Sequence, residues 1–203
     1  MSWVPVAPEA VAQQLATRLA EQPGLVRVAV DGPPCAEPEA LADALLEPLR
    51  ALGRPAVHIR SSSFWRDASL RLEHGREDVA SYASWVDAAA LQREVLDAAE
   101  SMRTYLPSLR DPETNRSTRV APEPVRTGQV IIVSGPLLLG LGLPFDRTVH
   151  LATSPATRAR RTSSDDAWTL PAFDDYEAAV RPTDVADVVV KVDDPRHPAV
   201  RWH

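Results

Sequence analysis

Residues 26–45, VRVAVDGPPCAEPEALADAL, decide the fold. Val26, Val28 and Val30 alternate with Arg27 and Ala29, which is the period of a strand. Asp31-Gly32-Pro33-Pro34 then interrupts the run as a turn does. Leu41, Leu45 and Leu49 follow at helical spacing and form one apolar face. Strand, tight turn and helix in that order open a parallel α/β sheet.

A phosphate-binding loop sits at such a junction when it reads G-x-x-x-x-G-K-[ST]. Bare amides cradle the phosphates, the lysine neutralises them, and the hydroxyl holds magnesium. Here Gly32 keeps the first glycine position, and Glu37, Pro38 and Glu39 stand where Gly, Lys and Ser/Thr belong. Pro33, Pro34 and Pro38 each remove a backbone N–H donor. Glu37 and Glu39 bring charge of the wrong sign. A like-charge pair at about 4 Å costs on the order of 4 kcal/mol at an effective dielectric near 20. Lys191, near the C-terminus, is the only lysine. Proline and acids also suit the first turn of a helix, so the turn reads as an anion site filled by its own carboxylates.

The remaining chain continues the α/β pattern. Val11, Leu15 and Leu19 mark a helix over 8–22, within an N-terminal segment 1–24. A strand over 25–30 and a helix over 36–52 follow, then strands at 56–59, 129–133, 148–152 and 188–192. Helices are expected over 87–102, from 155 to 161 and over 174–180. Residues 103–127 read as a hairpin-like insertion in which 104–109 and 118–120 pair around Asp111-Pro112-Glu113-Thr114-Asn115. The expectation is a single domain over 1–203 with a parallel sheet of about five strands. Ligands in such folds sit beyond the carboxyl ends of the strands. That gathers residues 31–39, 61–66, 134–138 and 153–161 around one crevice.

Composition narrows the classes. The chain has 203 residues, 44% apolar and 25% charged, with a net charge of −6; it reads as globular and unsuited to nucleic acid or an anionic membrane. Cys35 is alone and excludes an internal disulfide. The N-terminus lacks the basic and apolar regions of a signal peptide, and the apolar stretch 130–143 is too short to span a bilayer. The expected location is the cytoplasm. His58, His74, His150, His197 and His203 show no metal-ligand spacing, so no metal site is expected. Cys35 lies beside Glu37 and Glu39, which oppose a reactive thiolate.

With these motifs in view, the chain resembles the uridine kinase-like branch of the P-loop nucleoside kinases from about Val26 to Pro198. The resemblance rests on VRVAVDGPP with LADAL, Ser62-Ser63-Phe64-Trp65-Arg66, Arg71 and Tyr82. It continues through Arg103-Thr104-Tyr105 to Asp111 and Arg116, residues 130–135, Arg158-Ala159-Arg160-Arg161, Val180-Arg181-Pro182 and 186–190. It implies a three-layer P-loop kinase-like fold. It marks Asp31, Gly32, Pro33, Pro34, Cys35, Ala36, Glu37, Pro38 and Glu39 as a degenerate nucleotide loop. Ser62, Phe64, Trp65, Arg66 and Asp111 become substrate-binding candidates. Arg158 and Arg161 become anion-binding candidates of a shortened lid, 155–172. The acids expected after the second and third strands are Ser62 and Ser134.

Phosphoryl transfer depends on metal, Lys and Arg, and several of those parts are missing together. The resulting expectation is a pseudokinase: a uridine kinase-like protein without catalysis or cofactor, retained to bind a small nucleoside-like ligand or a protein partner. No catalytic residue is assigned. Two alternatives stay open. One is an active nucleoside kinase using ATP and magnesium, with Arg158 or Arg161 replacing the lysine. The other is a structural interaction protein without a small ligand. Bland readings stand beside each candidate: Asp111 as a turn cap, Phe64 and Trp65 as core, and Arg158, Arg160 and Arg161 as a solvated face paired with Asp165 and Asp166.

Overall fold

Alternating valines make the central strands, and their two faces make two cores. The computed structural model describes residues 2–203. Its strands are β1 (Val4–Pro5), β2 (Val26–Asp31), β3 (Ala56–Arg60), β4 (Thr104–Tyr105), β5 (Glu123–Pro124), β6 (Val130–Gly135), β7 (Arg147–Ala152), β8 (Val188–Lys191) and β9 (Ala199–Trp202). Its α-helices are α1 (Pro8–Ala20), α2 (Pro38–Ala51), α3 (Ala68–Arg71), α4 (Val79–Tyr82), α5 (Ala88–Leu91), α6 (Ala98–Ser101), α7 (Pro155–Arg161), α8 (Leu170–Ala179) and α9 (Pro182–Val185). A π-turn over Gln92–Asp97 joins α5 to α6, so the helix expected over 87–102 is nearly continuous.

The main sheet has seven strands in the order β1-β9-β8-β7-β2-β6-β3. The five from β3 to β8 are parallel, as expected. β9 and β1 extend the sheet antiparallel at one edge, and neither was expected. Their residues are short and interrupted by proline, so they carry little periodic signal. The edge is held by side chains: the Arg18 guanidinium lies 3.9 Å over the Trp202 ring and that of Arg201 4.9 Å over Trp3.

Val28, Val30, Val130, Ile132, Val149 and Leu151 face α1 and α2 and pack on Leu15, Leu19, Leu45 and Leu49. Ile59, Ile131 and Val133 face the opposite side and pack on Phe64, Leu91, Val95 and Leu96. Each fully buried Leu or Ile contributes about 1.5–3 kcal/mol. The 103–127 insertion turns around 111–115 as expected at its inner end, where the Thr118 amide donates to Leu109 O, but its outer end pairs differently. Thr104 and Tyr105 pair with Pro124 and Glu123, with a separate bridge from Arg110 to Ser117.

Across the amino ends of the strands, Arg27 grips Asp146. Arg27 Nη2 lies 2.8 Å from Asp146 Oδ1, and the Arg27 amide and Nε both donate to Oδ2. Burial pushes the Asp146 carboxyl up, but the Arg27 bonds and charge outweigh it and hold it below the usual carboxylate range. A depressed carboxylate stabilises fully above its unfolded value and loses that contribution as pH falls through its folded value. Wild-type stability should therefore fall as pH drops below about 4, and Asp146→Asn should remove part of that dependence. Acid titrations of the two proteins by circular dichroism check this; identical pH profiles would contradict it.

Candidate functional site

Glycines bring the carboxyl ends of the central strands close together. A Cβ on Gly135 would lie 1.9 Å from Ser61 Oγ, and one on Gly32 2.9 Å from Leu151 Cβ. Only glycine lets β6 approach the residues after β3, and β2 approach β7, so closely.

At the centre is Asp31, which is fully buried. Its Oδ1 accepts the Leu138 amide at 2.8 Å. Its Oδ2 accepts the Tyr176 hydroxyl at 3.0 Å and His150 Nδ1 at 2.7 Å. Burial, then the charge of Asp31, pushes the Tyr176 hydroxyl far above its ordinary range, so it stays a donor. The other His150 nitrogen, Nε2, is buried without a hydrogen bond and lies 4.0 Å from Glu177 Oε1. Nearby on the chain, the buried Thr153 Oγ1 also has no partner. His150 and Tyr176 escaped sequence reading because a lone His in a strand and a Tyr in a helix carry no motif.

The β2–α2 turn itself offers few donors. The Gly32 amide donates to Gly135 O, that of Ala36 to Pro33 O, and that of Glu37 to Pro34 O. Pro33, Pro34 and Pro38 have none to give. Amides of Cys35 and Glu39 are what remains, where an anion cradle needs several that converge. Glu37 adopts φ 58°, ψ 53°, the left-handed conformation that favours glycine, and glycine is what the phosphate-binding pattern has there.

The carboxylates do not fill the turn, contrary to the expectation. Glu37 is exposed. Glu39 turns away to Arg60 Nε at 2.9 Å. One turn further along α2, Asp43 meets Arg60 Nη2 at 3.3 Å and His58 Nδ1 at 2.7 Å. His58 Nε2 in turn lies 2.6 Å from Ser134 Oγ. This Asp–His–Ser chain has the connectivity of a nucleophile relay. Ser134 is wholly buried on a central strand, so no substrate reaches its hydroxyl, and the chain instead ties α2 to β3 and β6. The signal was present: acids one turn apart on α2 face His58 and Arg60, two apart on one face of β3.

The lid arginines are engaged too. Arg158 is 2% exposed; its Nη2 lies 2.6 Å from Asp174 Oδ1. Arg161 donates to the carbonyls of Val192 and Asp193. Neither pairs with Asp165 or Asp166, so the solvated-face reading is corrected for these two, which tie α7 to α8 and to the end of β8, while Arg160 is exposed as that reading has it.

Among the substrate candidates, Asp111 Oδ1 accepts the amides of Glu113 and Thr114 and so caps its turn. Phe64 is fully buried core. The Ser62 carbonyl accepts the Trp65 amide. Arg66 is exposed, and its carbonyl accepts Arg71 Nε. Trp65 joins an aromatic cluster that sequence reading missed. Trp65 and Trp85 meet edge to face at 5.2 Å, and the Arg71 guanidinium lies 4.8 Å from each ring. Tyr82 meets Trp85, Trp168 and Phe173 at 5.1, 5.4 and 6.0 Å. Trp168 lies in the lid, so rings fasten the lid to the segment after β3. Such pairs contribute about 0.5–1.5 kcal/mol each beyond burial. Trp85 Nε1 is buried without a partner.

Residues 31–39 hold no lysine and no hydroxyl, and Ser62 and Ser134 stand at the ends of β3 and β6. Among the described residues no group of three or more His, Cys, Asp or Glu is placed to hold a metal ion, and no helix is long and apolar enough to cross a membrane.

The strain at Glu37 gives a direct check. Glu37→Gly should raise stability by about 1 kcal/mol, the order of the left-handed penalty for a side chain. Chemical denaturation measures it; a loss of stability would show that the Glu37 side chain has a role its exposure does not reveal.

No known family model matches the chain, and no curated protein matches it. Solved structures do. One described as a possible uridine kinase from Bacillus stearothermophilus superposes with a TM-score of 0.72 at 19% identity, covering 88% of this chain and 96% of that one. A proposed fructose transport system kinase from Silicibacter sp. TM1040 gives 0.61 at 22% identity, covering 89% and 95%. The YGR205w protein gives 0.59 at 8% identity, covering 98% and 99%. At these identities the likeness establishes architecture alone: the chain shares the mostly parallel α/β fold of these solved structures.

Proposed function

We propose that this chain is a kinase-fold protein that does not transfer phosphate and serves instead as a binding or regulatory protein. The observation that carries the reading is the β2–α2 turn, where only the amides of Cys35 and Glu39 are left free and the acids of α2 pair with Arg60 and His58. Phosphoryl transfer rests on positioning and on charge stabilisation by metal, Lys and Arg, and this turn supplies none of them. The buried, unpartnered atoms of His150 and Thr153 favour a small polar ligand, nucleoside-like in its donors and acceptors, at the carboxyl end of β7.

An active kinase with Arg158 or Arg161 in place of the lysine is the rival reading. It would require Arg158 to leave Asp174, and Arg161 to leave the Val192 and Asp193 carbonyls. Magnesium-ATP at about 1 mM should shift the melting temperature negligibly, because a ligand weaker than that concentration adds under about 0.4 kcal/mol. ADP release should stay at background with or without uridine. Uridine-dependent ADP release that Arg158→Ala or Arg161→Ala abolishes would overturn the proposal.

A further inference from the structure

A cavity of about 460 Å³ lies at the other end of the sheet from Asp31. Ala56 in its wall pairs with Val130, whose other partner is Val26, so the cavity sits at the amino ends of β3, β6 and β2. Its volume falls in the range of small-molecule sites, roughly 300–1,000 Å³. The β4–β5 hairpin forms one wall and the last turn of α2 another.

The lining polar groups are held in place. Tyr105 is 3% exposed, and its hydroxyl donates to Glu123 Oε2 at 2.6 Å. Burial, reinforced by Glu123, keeps that hydroxyl protonated, its pKa pushed up to about 12. Gln129 is 2% exposed, and its Oε1 accepts the Arg126 amide at 2.6 Å. Two guanidinium groups complete the lining. Neither Arg50 nor Arg126 forms an ion pair among the described residues. Arg50 makes only a long contact of 3.5 Å to Ala56 O. The lining thus carries two positive charges against one carboxylate, which Tyr105 already engages, on a chain whose net charge is −6. Val57 and Pro124 supply an apolar surface beside them.

We propose that this cavity binds a small molecule bearing a phosphate or carboxylate group on an apolar body. Arg50 and Arg126 take the oxyanion, since the guanidinium fork matches such groups. The apolar body lies against Val57 and Pro124. The site shares no residue with the Asp31 network and does not depend on how that network is read.

Phenyl phosphate and benzoate serve as probes, with inorganic phosphate as the bare anion. Both arginines are exposed, so the Arg50→Ala, Arg126→Ala double variant should fold, which circular dichroism confirms. Titrations followed by the Nε–H signals of Arg50 and Arg126 should saturate with phenyl phosphate or benzoate in the millimolar range or below. The tighter of the two identifies the anion. Inorganic phosphate should bind several-fold more weakly, and the double variant at least about tenfold more weakly by thermal shift, a change of about 1.4 kcal/mol. No saturation with either aromatic probe up to about 10 mM, or equal affinity in the double variant, would overturn the proposal.

Discussion

A carboxylate cannot be buried alone, and Asp31 is buried completely. The penalty for an uncompensated buried charge is large, and breaking such a network by removing one partner costs about 3–5 kcal/mol. Three donors therefore have to converge on it: an amide from the turn after β6, a hydroxyl from α8 and a ring nitrogen from β7. Each comes from a segment distant in sequence. The carboxylate thus fixes how β6, β7 and α8 close around the end of β2. Leu137 adopts φ 62° in the turn after β6, a strained conformation directly before the Leu138 amide that reaches Asp31.

Around that centre most charged groups are paired within the chain, while His150 Nε2, Thr153 Oγ1 and Trp85 Nε1 stay unpartnered. The α2 acids pair with Arg60 and His58, the lid arginines with Asp174 and backbone carbonyls, and the amides of Gly32, Ala36 and Glu37 with neighbouring carbonyls. A kinase active site keeps such groups free and convergent so that they meet developing charge at the phosphate. In this chain most of those groups are paired internally. Glu37 shows the relation: it holds the left-handed conformation of a loop glycine while its side chain points to solvent.

The central fold was legible because apolar periodicity reports burial. Val26 to Val30 and residues 130–133 lie where the pattern places them, and so do Leu41, Leu45 and Leu49 on α2. β1 and β9 were not legible, since strands of two and four residues give no period to detect. The site was legible in part. The proline and glutamate substitutions in the turn are visible as letters, but the direction each side chain takes is not. Hence Glu39 was read as filling the turn, whereas Arg60 draws it away. Asp31, His150 and Tyr176 lie 119 and 145 residues apart in their contacts, beyond the reach of any local pattern. The aromatic cluster joining Trp65 to Trp168 was hidden for the same reason.

The account turns on the β2–α2 turn having too few donors to hold a phosphate chain. Amide chemical shifts of Gly32, Cys35, Ala36, Glu37 and Glu39 during a magnesium-ATP titration test it residue by residue. The prediction is that they stay unmoved up to millimolar nucleotide. Saturable shifts of several of these amides at sub-millimolar ATP would contradict it, because they would place the phosphates on this turn.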